Sequence, residues 1–188
     1  MAEQAKQIPT GKKDLIAVVI VAFVGLMLGL NLFQLLDSDG GGDLVGKAAP
    51  EFSLPVLGEQ ENMNLMDYRG QVVVMDFWAT WCPPCREQMP SLEAVATDPE
   101  LGEEVVIFSI NTDEPSDDRE NLIESFLLKE ELTLPTVMDT GTVRRLYGVT
   151  TIPTLVIIDR EGVVTHSSAG LHQEPDLRRL ISQAADSL

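Results

Sequence analysis

Apolar residues follow two different spacings along this chain, and each spacing predicts one kind of element. Val72 to Trp78 is apolar at nearly every position, which is typical of a central, parallel-type strand buried on both faces. Glu104 to Ile110 predicts a second buried strand. The segment from Ser116 to Glu131 instead repeats apolar residues at helical spacing and predicts a helix; those residues are Leu122, Ile123, Phe126 and Leu127.

The last third of the chain continues the alternation of strands and helices. Residues Asp139 to Tyr147 predict a short helix. Leu155 to Ile158 and Val163 to His166 flank the turn signal Asp-Arg-Glu-Gly and predict a hairpin. Pro175 to Asp186 predicts the final helix. Alternating strands and helices, closed by a hairpin and a helix, predict an α/β sandwich.

One apolar run, at residues 15–36, fits neither pattern. It carries no charge and is long enough to cross a hydrocarbon core of about 30 Å as a helix. A buried core helix would show a polar face, and a cleaved signal peptide would have a shorter apolar region followed by small residues. The run has neither feature, so we predict an uncleaved transmembrane anchor.

Charges around this run predict its orientation. Lys6, Lys12 and Lys13 precede it, whereas the acidic, glycine-rich stretch after it contains no base. The positive-inside rule therefore predicts a single-pass protein of the inner (cytoplasmic) membrane, with residues 1–14 in the cytoplasm. Residues 37–45 are expected to form a flexible tether, and residues 46–188 one domain on the periplasmic, or extracytoplasmic, side.

The composition is strongly acidic, with 13 Lys and Arg against 30 Asp and Glu and a net charge of −17. Such a field repels nucleic acid, so we expect no nucleic-acid partner. Solubility or adaptation to a salty medium accounts for the charge, and attraction of basic redox proteins is the alternative.

The only two cysteines, Cys82 and Cys85, lie where the first predicted strand gives way to a helix. A helix N-terminus favours a thiolate, and two intervening residues allow a disulfide. Pro83 and Pro84 fit the first turn of that helix but remove two N–H donors. No cation lies between the cysteines, so we expect moderate thiolate stabilisation and a reductant rather than a strong oxidant.

Two other uses of a Cys-x-x-Cys pair are possible. A zinc site needs two further ligands, whereas His166 and His172 are isolated and far along the sequence, so we predict no metal. An inert structural disulfide across so short a loop would stabilise the fold only slightly. A redox-active Cys82–Cys85 disulfide without another cofactor is the favoured interpretation.

Four stretches resemble the membrane-anchored TlpA/ResA/CcmG-type thiol-disulfide oxidoreductases of the thioredoxin superfamily: residues 46–52, residues 68–74, residues 77–85 and Thr151-Ile152-Pro153-Thr154. The resemblance implies a thioredoxin fold, with a central mixed β-sheet flanked by helices and an N-terminal β extension. A transmembrane helix would precede this fold.

The resemblance also implies roles for individual residues. Cys82 would be the attacking thiol, Cys85 the resolving thiol, and Asp76 the buried acid that helps to deprotonate Cys85. A satisfied strand-end carboxylate is the alternative for Asp76. Glu114 lies where ResA-like reductases carry a functional acid, although a solvated face of an acidic loop is the simpler interpretation.

A client-binding surface is implied around the cysteines. Pro153 matches the cis-proline of the superfamily, and Ile152 before it would offer its main-chain groups to a client strand. Trp78 is expected in the core, and Trp81 at an apolar rim beside Cys82. The predicted client-binding residues are Trp81, Pro83, Pro84, Ile152 and Pro153.

These expectations combine into a protein-disulfide reductase acting on disulfide-bearing client proteins, such as apocytochrome c or the copper-site cysteines of an oxidase. A membrane thiol donor of the DsbD/CcdA kind would supply the electrons. The alternatives are a peroxiredoxin-like thiol peroxidase, which shares the fold, and a copper-delivery module for a respiratory oxidase, since two thiols can hold Cu(I).

Overall fold

The computed structural model describes residues 44–187, which include the tether's last two residues and nearly all of the predicted domain. Within this range no helix is both long and apolar enough to cross a membrane. The predicted anchor at residues 15–36 lies outside the described residues.

The elements follow one another in the expected alternation. In chain order they are β1 (Ser53–Pro55), β2 (Asn62–Asn64), a 3-10 helix (Leu65–Tyr68), β3 (Val72–Trp78), α1 (Pro83–Ala96), a second 3-10 helix (Gly102–Glu104), β4 (Val105–Asn111), α2 (Arg119–Lys129), β5 (Thr136–Met138), α3 (Thr142–Leu146), β6 (Thr154–Ile158), β7 (Val164–Ala169) and α4 (Glu174–Ala185).

A five-stranded sheet with the order β5-β4-β3-β6-β7 forms the centre of the domain. Strand β3 is central, as predicted, but it is not purely parallel. It pairs in parallel with β4 and antiparallel with β6, which comes from much later in the chain. The sheet is therefore mixed, and β1 and β2 form the separate N-terminal β extension as an antiparallel pair.

Different parts of the chain cover the two faces of the sheet. On one face Val73 and Phe77 of β3 pack with residues of β1, β2 and α3. On the other face Val72 and Val74 pack with α1 and α4. Because alternate strand residues point the same way, Asp76 belongs to the face covered by α1 and α4.

Two helix starts lie later in the chain than predicted. Helix α2 begins at Arg119 rather than Ser116, and α3 begins at Thr142 rather than Asp139. Asp139 lies just before α3 and accepts hydrogen bonds of 2.8 to 3.0 Å from three main-chain N–H groups at its start. The acidic residue therefore caps this helix instead of belonging to it.

Strand β5 was missed by the sequence interpretation. It has only three residues, Thr136–Met138, which is too short for a periodic signal. Its pairing with β4 makes it a strand and extends the sheet beside the loop that follows β4. The final hairpin was predicted correctly, although β7 continues beyond His166 to Ala169.

Candidate active site

Both cysteines lie at the junction predicted for them, between β3 and α1. Their sulfur atoms form a disulfide, with the Cα atoms 5.3 Å apart. Both belong to an apolar cluster that also contains Trp78, which is fully buried as predicted. Cys82 keeps 3% of its surface exposed, whereas Cys85 has none, so Cys82 is the more accessible member of a buried pair.

Cys82 caps the amino end of α1, and only one main-chain donor of the described residues serves its sulfur. Pro83 and Pro84 occupy the first two helical positions and have no N–H. Cys85 N–H donates to Cys82 Sγ over 3.3 Å. The N–H of Arg86, next along, donates to the carbonyl of Cys82 instead, at 3.2 Å. Much of the usual donor array of a helix N-terminus is therefore absent here.

The loop before Cys82 is held by a buried polar network that the sequence interpretation missed. Asp113 accepts hydrogen bonds from the main-chain N–H and the hydroxyl of Thr80, both 3.0 Å long. It also accepts one from the side-chain amide of Asn111 at 2.7 Å. Arg119 donates from Nη2 to Asn111 Oδ1 at 2.9 Å and to its carbonyl oxygen at 2.7 Å.

This network corrects the interpretation of the acidic loop. Asp113 precedes Glu114 in the acidic loop for which a solvated face was the simpler interpretation, but it is 5% exposed. A signal existed in the sequence, because Asn111 and Asp113 follow a buried strand, and the carboxyl ends of neighbouring parallel strands lie at one edge of a sheet. The cysteine loop lies at that edge. Burial lowers the pKa of Arg119, and the nearby Asp113, Asp139 and Glu114 act in the opposite direction.

Glu114, the predicted functional acid, is exposed. It lines a shallow depression together with Asp139, Gly141 and Arg144. It forms no hydrogen bond or ion pair with the cysteines or Asp76 in the described part of the chain. A role for Glu114 in proton transfer stays a prediction.

Arg86 holds the other side of the same loop. Its Nε donates to the carbonyl of Thr80 at 2.9 Å, and its guanidinium lies over the ring of Phe126, 5.1 Å from the ring centroid. Stacking of this kind contributes about 0.5–1 kcal/mol when exposed. Thr80 is therefore bound from both the β4 side and the α1 side.

Trp81 forms the predicted apolar rim, with 67% of its surface exposed. It lines an open groove together with Leu122 and Phe126 of α2 and with Arg86. Pro83 and Pro84 beside it are also exposed. A large apolar side chain left in solvent next to a reactive disulfide is a surface that a protein client could cover.

Pro153 precedes β6, and the peptide bond between Ile152 and Pro153 is cis. Ile152 is half-buried and packs against the cluster that contains both cysteines. Within residues 44–187, neither main-chain polar group of Ile152 forms a hydrogen bond. These two groups are therefore available to an extended peptide.

Asp76 is fully buried and has a single hydrogen-bond partner among the described residues. Its Oδ1 accepts a hydrogen bond of 2.7 Å from Gln88 Nε2, and its Oδ2 is buried without a partner. Burial raises the pKa of Asp76 well above its ordinary value, and the Gln88 hydrogen bond lowers it in part. Asp76 is not a strand-end carboxylate satisfied by main-chain amides, so that alternative is wrong.

The position of Gln88 relates Asp76 to Cys85. Gln88 lies three residues after Cys85 on α1, and residues three apart share a helix face. Both are fully buried. The carboxyl group of Asp76 therefore contacts the helix face that carries the second cysteine, one turn beyond it.

His166 and His172 are not isolated from each other, contrary to the sequence interpretation. Their ring centroids are 5.8 Å apart, and both Nε2 atoms are 2.8 Å from Ser168 Oγ. Burial lowers the pKa of both histidines. No three His, Cys, Asp or Glu side chains gather into a potential metal site anywhere in the described range.

A cysteine pair at the amino end of a helix, a cis-proline beside it and a buried acid behind it, on a thioredoxin-like sheet, define a thiol-disulfide oxidoreductase. The chain belongs to the AhpC/TSA family, whose sequence model matches residues 45–167. This places the protein among the thioredoxin-like oxidoreductases of that family.

Named relatives agree with this class. The chain is 30% identical to the thioredoxin-like protein YneN of Bacillus subtilis, over 89% of this chain and 96% of the relative. It is 34% identical to the thiol-disulfide oxidoreductase ResA of Geobacillus kaustophilus, over 87% and 89% of the two chains. A Chlorobium tepidum structure described as a thiol:disulfide interchange protein DsbE aligns with a TM-score of 0.63 and 30% identity, covering 77% of this chain and 96% of that one.

Proposed function

We propose that this protein is a membrane-tethered, extracytoplasmic reductase of client disulfides, working through Cys82 and Cys85. The observation that carries the proposal is the surface around the disulfide. Cys82 directly follows the exposed Trp81, and Ile152, whose main-chain groups form no hydrogen bond in the described domain, packs against the cluster that contains Cys82. Such a surface can bind an extended polypeptide while its disulfide approaches Cys82.

The reaction begins from the reduced dithiol. The Cys82 thiolate attacks one sulfur of the client disulfide, the client S–S bond breaks, and the second client sulfur leaves as a thiolate. A mixed disulfide then joins Cys82 to the client. Cys82 is favoured for the first attack because it keeps a small exposed surface, whereas Cys85 has none. The exposed Trp81 lies beside it in the chain.

Resolution of the mixed disulfide uses Cys85 and Asp76. Cys85 gives its proton to Asp76 and attacks Cys82 Sγ, which closes the internal disulfide and releases the second client thiolate. Two electrons pass to the client. A raised pKa suits Asp76 to this role, because a weaker acid is a stronger base for a buried thiol.

The partners are inferred from the resemblance and from the predicted anchor. Clients are extracytoplasmic disulfide-bearing proteins, with apocytochrome c and oxidase copper-site subunits as the first to test. A membrane thiol donor of the DsbD/CcdA kind would reduce the Cys82–Cys85 disulfide after each cycle. Residues 15–36 would keep the domain beside that donor.

Trapping the mixed disulfide tests this function. The full chain with Cys85→Ser should accumulate covalent complexes with extracytoplasmic proteins that dissolve on reduction. Cys82→Ser is the matched control and should form few. A parallel peroxide-consumption assay separates reductase from peroxidase activity: rapid peroxide turnover by wild type, without trapped clients, would replace the reductase proposal with the peroxidase alternative.

A further inference from the structure

Gln88 is a polar side chain with no exposed surface in the middle of α1. Glutamine is mostly exposed in proteins, so a fully buried one needs partners at both ends of its amide. It has them here. Nε2 donates to Asp76 Oδ1 at 2.7 Å, and Oε1 accepts the main-chain N–H of His172 at 2.6 Å.

These two partners fix which way the amide of Gln88 faces. A main-chain N–H can only donate, so the oxygen of the Gln88 amide must face His172. The NH2 group is then left facing Asp76. The hydrogen bond from His172, in the segment before α4, therefore ensures that the NH2 group of Gln88, and not its oxygen, faces Asp76.

Gln88 is the one residue of the described domain that forms a hydrogen bond with the carboxyl group of Asp76, and Trp78 Nε1, on the same face of β3, is buried without a partner. The neighbour of Asp76 on β4 is Ser109, whose hydroxyl lies 2.9 Å from the hydroxyl of Thr136, and its neighbour on β6 is Leu155. Apart from Gln88, the buried residues of α1 and α4 are apolar: Cys85, Met89, Leu92, Val95, Leu177, Leu180, Ile181 and Ala184.

We propose that Gln88 is a positioning residue for the resolution step, which holds Asp76 through Oδ1 and leaves Oδ2 to take the proton of Cys85. This inference rests on the proposed function of Asp76. In the balance of the step, the S–H bond of Cys85 breaks and the O–H bond forms at Asp76 Oδ2. The Cys85 thiolate forms its bond to Cys82 Sγ as the bond from Cys82 to the client sulfur breaks, and the client sulfur leaves as a thiolate.

The segment that holds Gln88 reaches the client side of the site as well. Gly170, two residues before His172, donates its N–H to the carbonyl of Pro153 at 2.9 Å. One short segment therefore contacts both the proline beside the cysteines and the amide that holds Asp76. Gln88 acts at the inner end of this segment and touches neither sulfur in any hydrogen bond of the described residues.

Removing the Gln88 donor should shift the pH dependence of resolution. In Gln88→Met the carboxylate of Asp76 loses the one hydrogen bond it has in the described domain, so its protonated form gains population. Fewer molecules then hold an ionised Asp76 at pH 7. The midpoint of the resolution rate should rise by about one pH unit, and resolution at pH 7 should slow by up to about tenfold.

The experiment uses the full chain in detergent, reduced and mixed with oxidised glutathione. Acid-quenched samples, separated by mass, give the rate of mixed-disulfide formation and the rate of its resolution across pH. Attack by Cys82 should stay within about twofold of wild type. A folded Gln88→Met or Gln88→Leu protein with an unchanged resolution midpoint would overturn the inference.

A control addresses the neighbouring histidines, whose rings titrate near Asp176 and Arg179. Ser168→Ala removes the hydrogen bonds of both rings and leaves every atom of the Asp76–Gln88–His172 chain in place. Its resolution midpoint should match wild type. A shift equal to that of Gln88→Met would assign the pH dependence to the histidine pair instead.

Two outcomes separate this inference from the proposed function. If Asp76→Asn resolves as fast as wild type, the proton-acceptor role itself fails. If Asp76→Asn is slow but both Gln88 variants keep the wild-type midpoint, only the positioning role fails. If neither variant folds, NMR of the wild-type protein decides. The chemical shift of the Gln88 side-chain amide should change with pH at the same midpoint as the resolution rate. A shift that stays constant across this pH range would refute the inference.

Discussion

Thr80 donates two hydrogen bonds of 3.0 Å to the carboxylate of Asp113, one from its main-chain N–H and one from its hydroxyl. Thr80 lies two residues before Cys82, and Asp113 lies two residues after the end of β4. A carboxylate outside the cysteine motif therefore fixes the conformation of the loop that presents Trp81 and Cys82.

We expect Asp113→Ala to lower the free energy of unfolding of the oxidised protein by about 2–4 kcal/mol. The substitution leaves buried donors of Thr80 and Asn111 without an acceptor and removes a negative charge near Arg119. Urea denaturation measures the change. Glu114→Ala is the control, because Glu114 is exposed, and should change stability by less than about 0.5 kcal/mol. If Asp113→Ala and Glu114→Ala lost the same free energy of unfolding, the stabilising role assigned to the buried Asp113 would be wrong.

Asp76→Asn should slow resolution of the mixed disulfide and leave alkylation of Cys82 within a few-fold of wild type. The amide keeps an oxygen for the Gln88 hydrogen bond but cannot accept the proton of Cys85. Quenched reactions with a peptide disulfide measure resolution, and iodoacetamide measures attack. Strongly slowed alkylation with normal resolution would show that Asp76 acts on Cys82 instead.

The same substitution should increase stability at alkaline pH. Burial raises the pKa of Asp76 in the folded state above its unfolded value, so the folded protein binds this proton more tightly. Wild-type stability should therefore fall as pH rises from about 4 through the raised pKa. Asp76→Asn should abolish that fall, gaining about 1.4 kcal/mol for each pH unit that separates the folded-state pKa from the unfolded-state pKa. Denaturant unfolding of both proteins across this pH range measures the effect. If the free energy of unfolding fell with pH equally in wild type and Asp76→Asn, Asp76 would not cause the fall.

Sequence patterns were sufficient for the elements that have strong periodicity or specific motifs. The nearly continuous apolar run of β3, the cysteine pair with its prolines and the closing hairpin all lie where they were predicted. The buried position of Trp78 and the exposure of Trp81 also followed from local context. These features depend mainly on residues nearby in the sequence, so the local pattern of residues was enough to predict them.

Features that depend on distant contacts were not predictable in the same way. Asp113 and Glu114 are adjacent acids in one loop, yet only Asp113 is buried, because Thr80 and Asn111 surround it. The link between Gln88 and His172 joins residues 84 positions apart. Strand β5 needs β4 beside it to exist as a strand. Hydrophobic spacing carries no information about such partners.

Trp81→Ala should weaken activity on protein clients more than activity on oxidised glutathione. A protein client can cover the groove between Trp81, Leu122 and Phe126, whereas glutathione is too small to fill it. We expect a loss of about five- to thirtyfold in kcat/KM for a denatured protein disulfide, from lost apolar burial of about 1–2 kcal/mol. Steady-state reduction assays with both substrates measure the ratio.

Leu128→Ala is the control for the Trp81 prediction. Leu128 lies on the same helix as Leu122 and is 82% exposed, but it does not line the groove. Its substitution should leave both activities unchanged. Equal losses on the protein client and on glutathione in Trp81→Ala would assign Trp81 to the chemistry of Cys82 rather than to client binding.

The anchor is predicted to be retained in the mature protein. The basis is the uncharged run at residues 15–36, which has no small-residue cleavage site after it. N-terminal sequencing of protein extracted from membranes should find residues before Leu15. A mature chain that begins near Asp37 or later would contradict the anchor and, with it, the proposed tether.

The redox potential of the Cys82–Cys85 couple should lie between about −270 and −200 mV, in the range of a mild reductant. A strong oxidant requires a heavily stabilised thiolate in its reduced form. Here Pro83 and Pro84 contribute no N–H, and Cys85 N–H is the one main-chain donor of the described residues that reaches Cys82 Sγ. The Arg86 guanidinium is directed to Thr80 and Phe126 instead.

Equilibration with glutathione buffers, followed by trapping of the thiols, measures this potential. Replacing Pro83 or Pro84 by glycine restores an N–H at the start of α1, so the thiolate of Cys82 should be better stabilised and the potential should become less negative. We expect a change of about 10–30 mV, since about 30 mV corresponds to 1.4 kcal/mol for a two-electron couple. A wild-type potential near −120 mV would instead identify an oxidant. If the proline variants kept the wild-type potential, the missing N–H donors would not be what sets that potential.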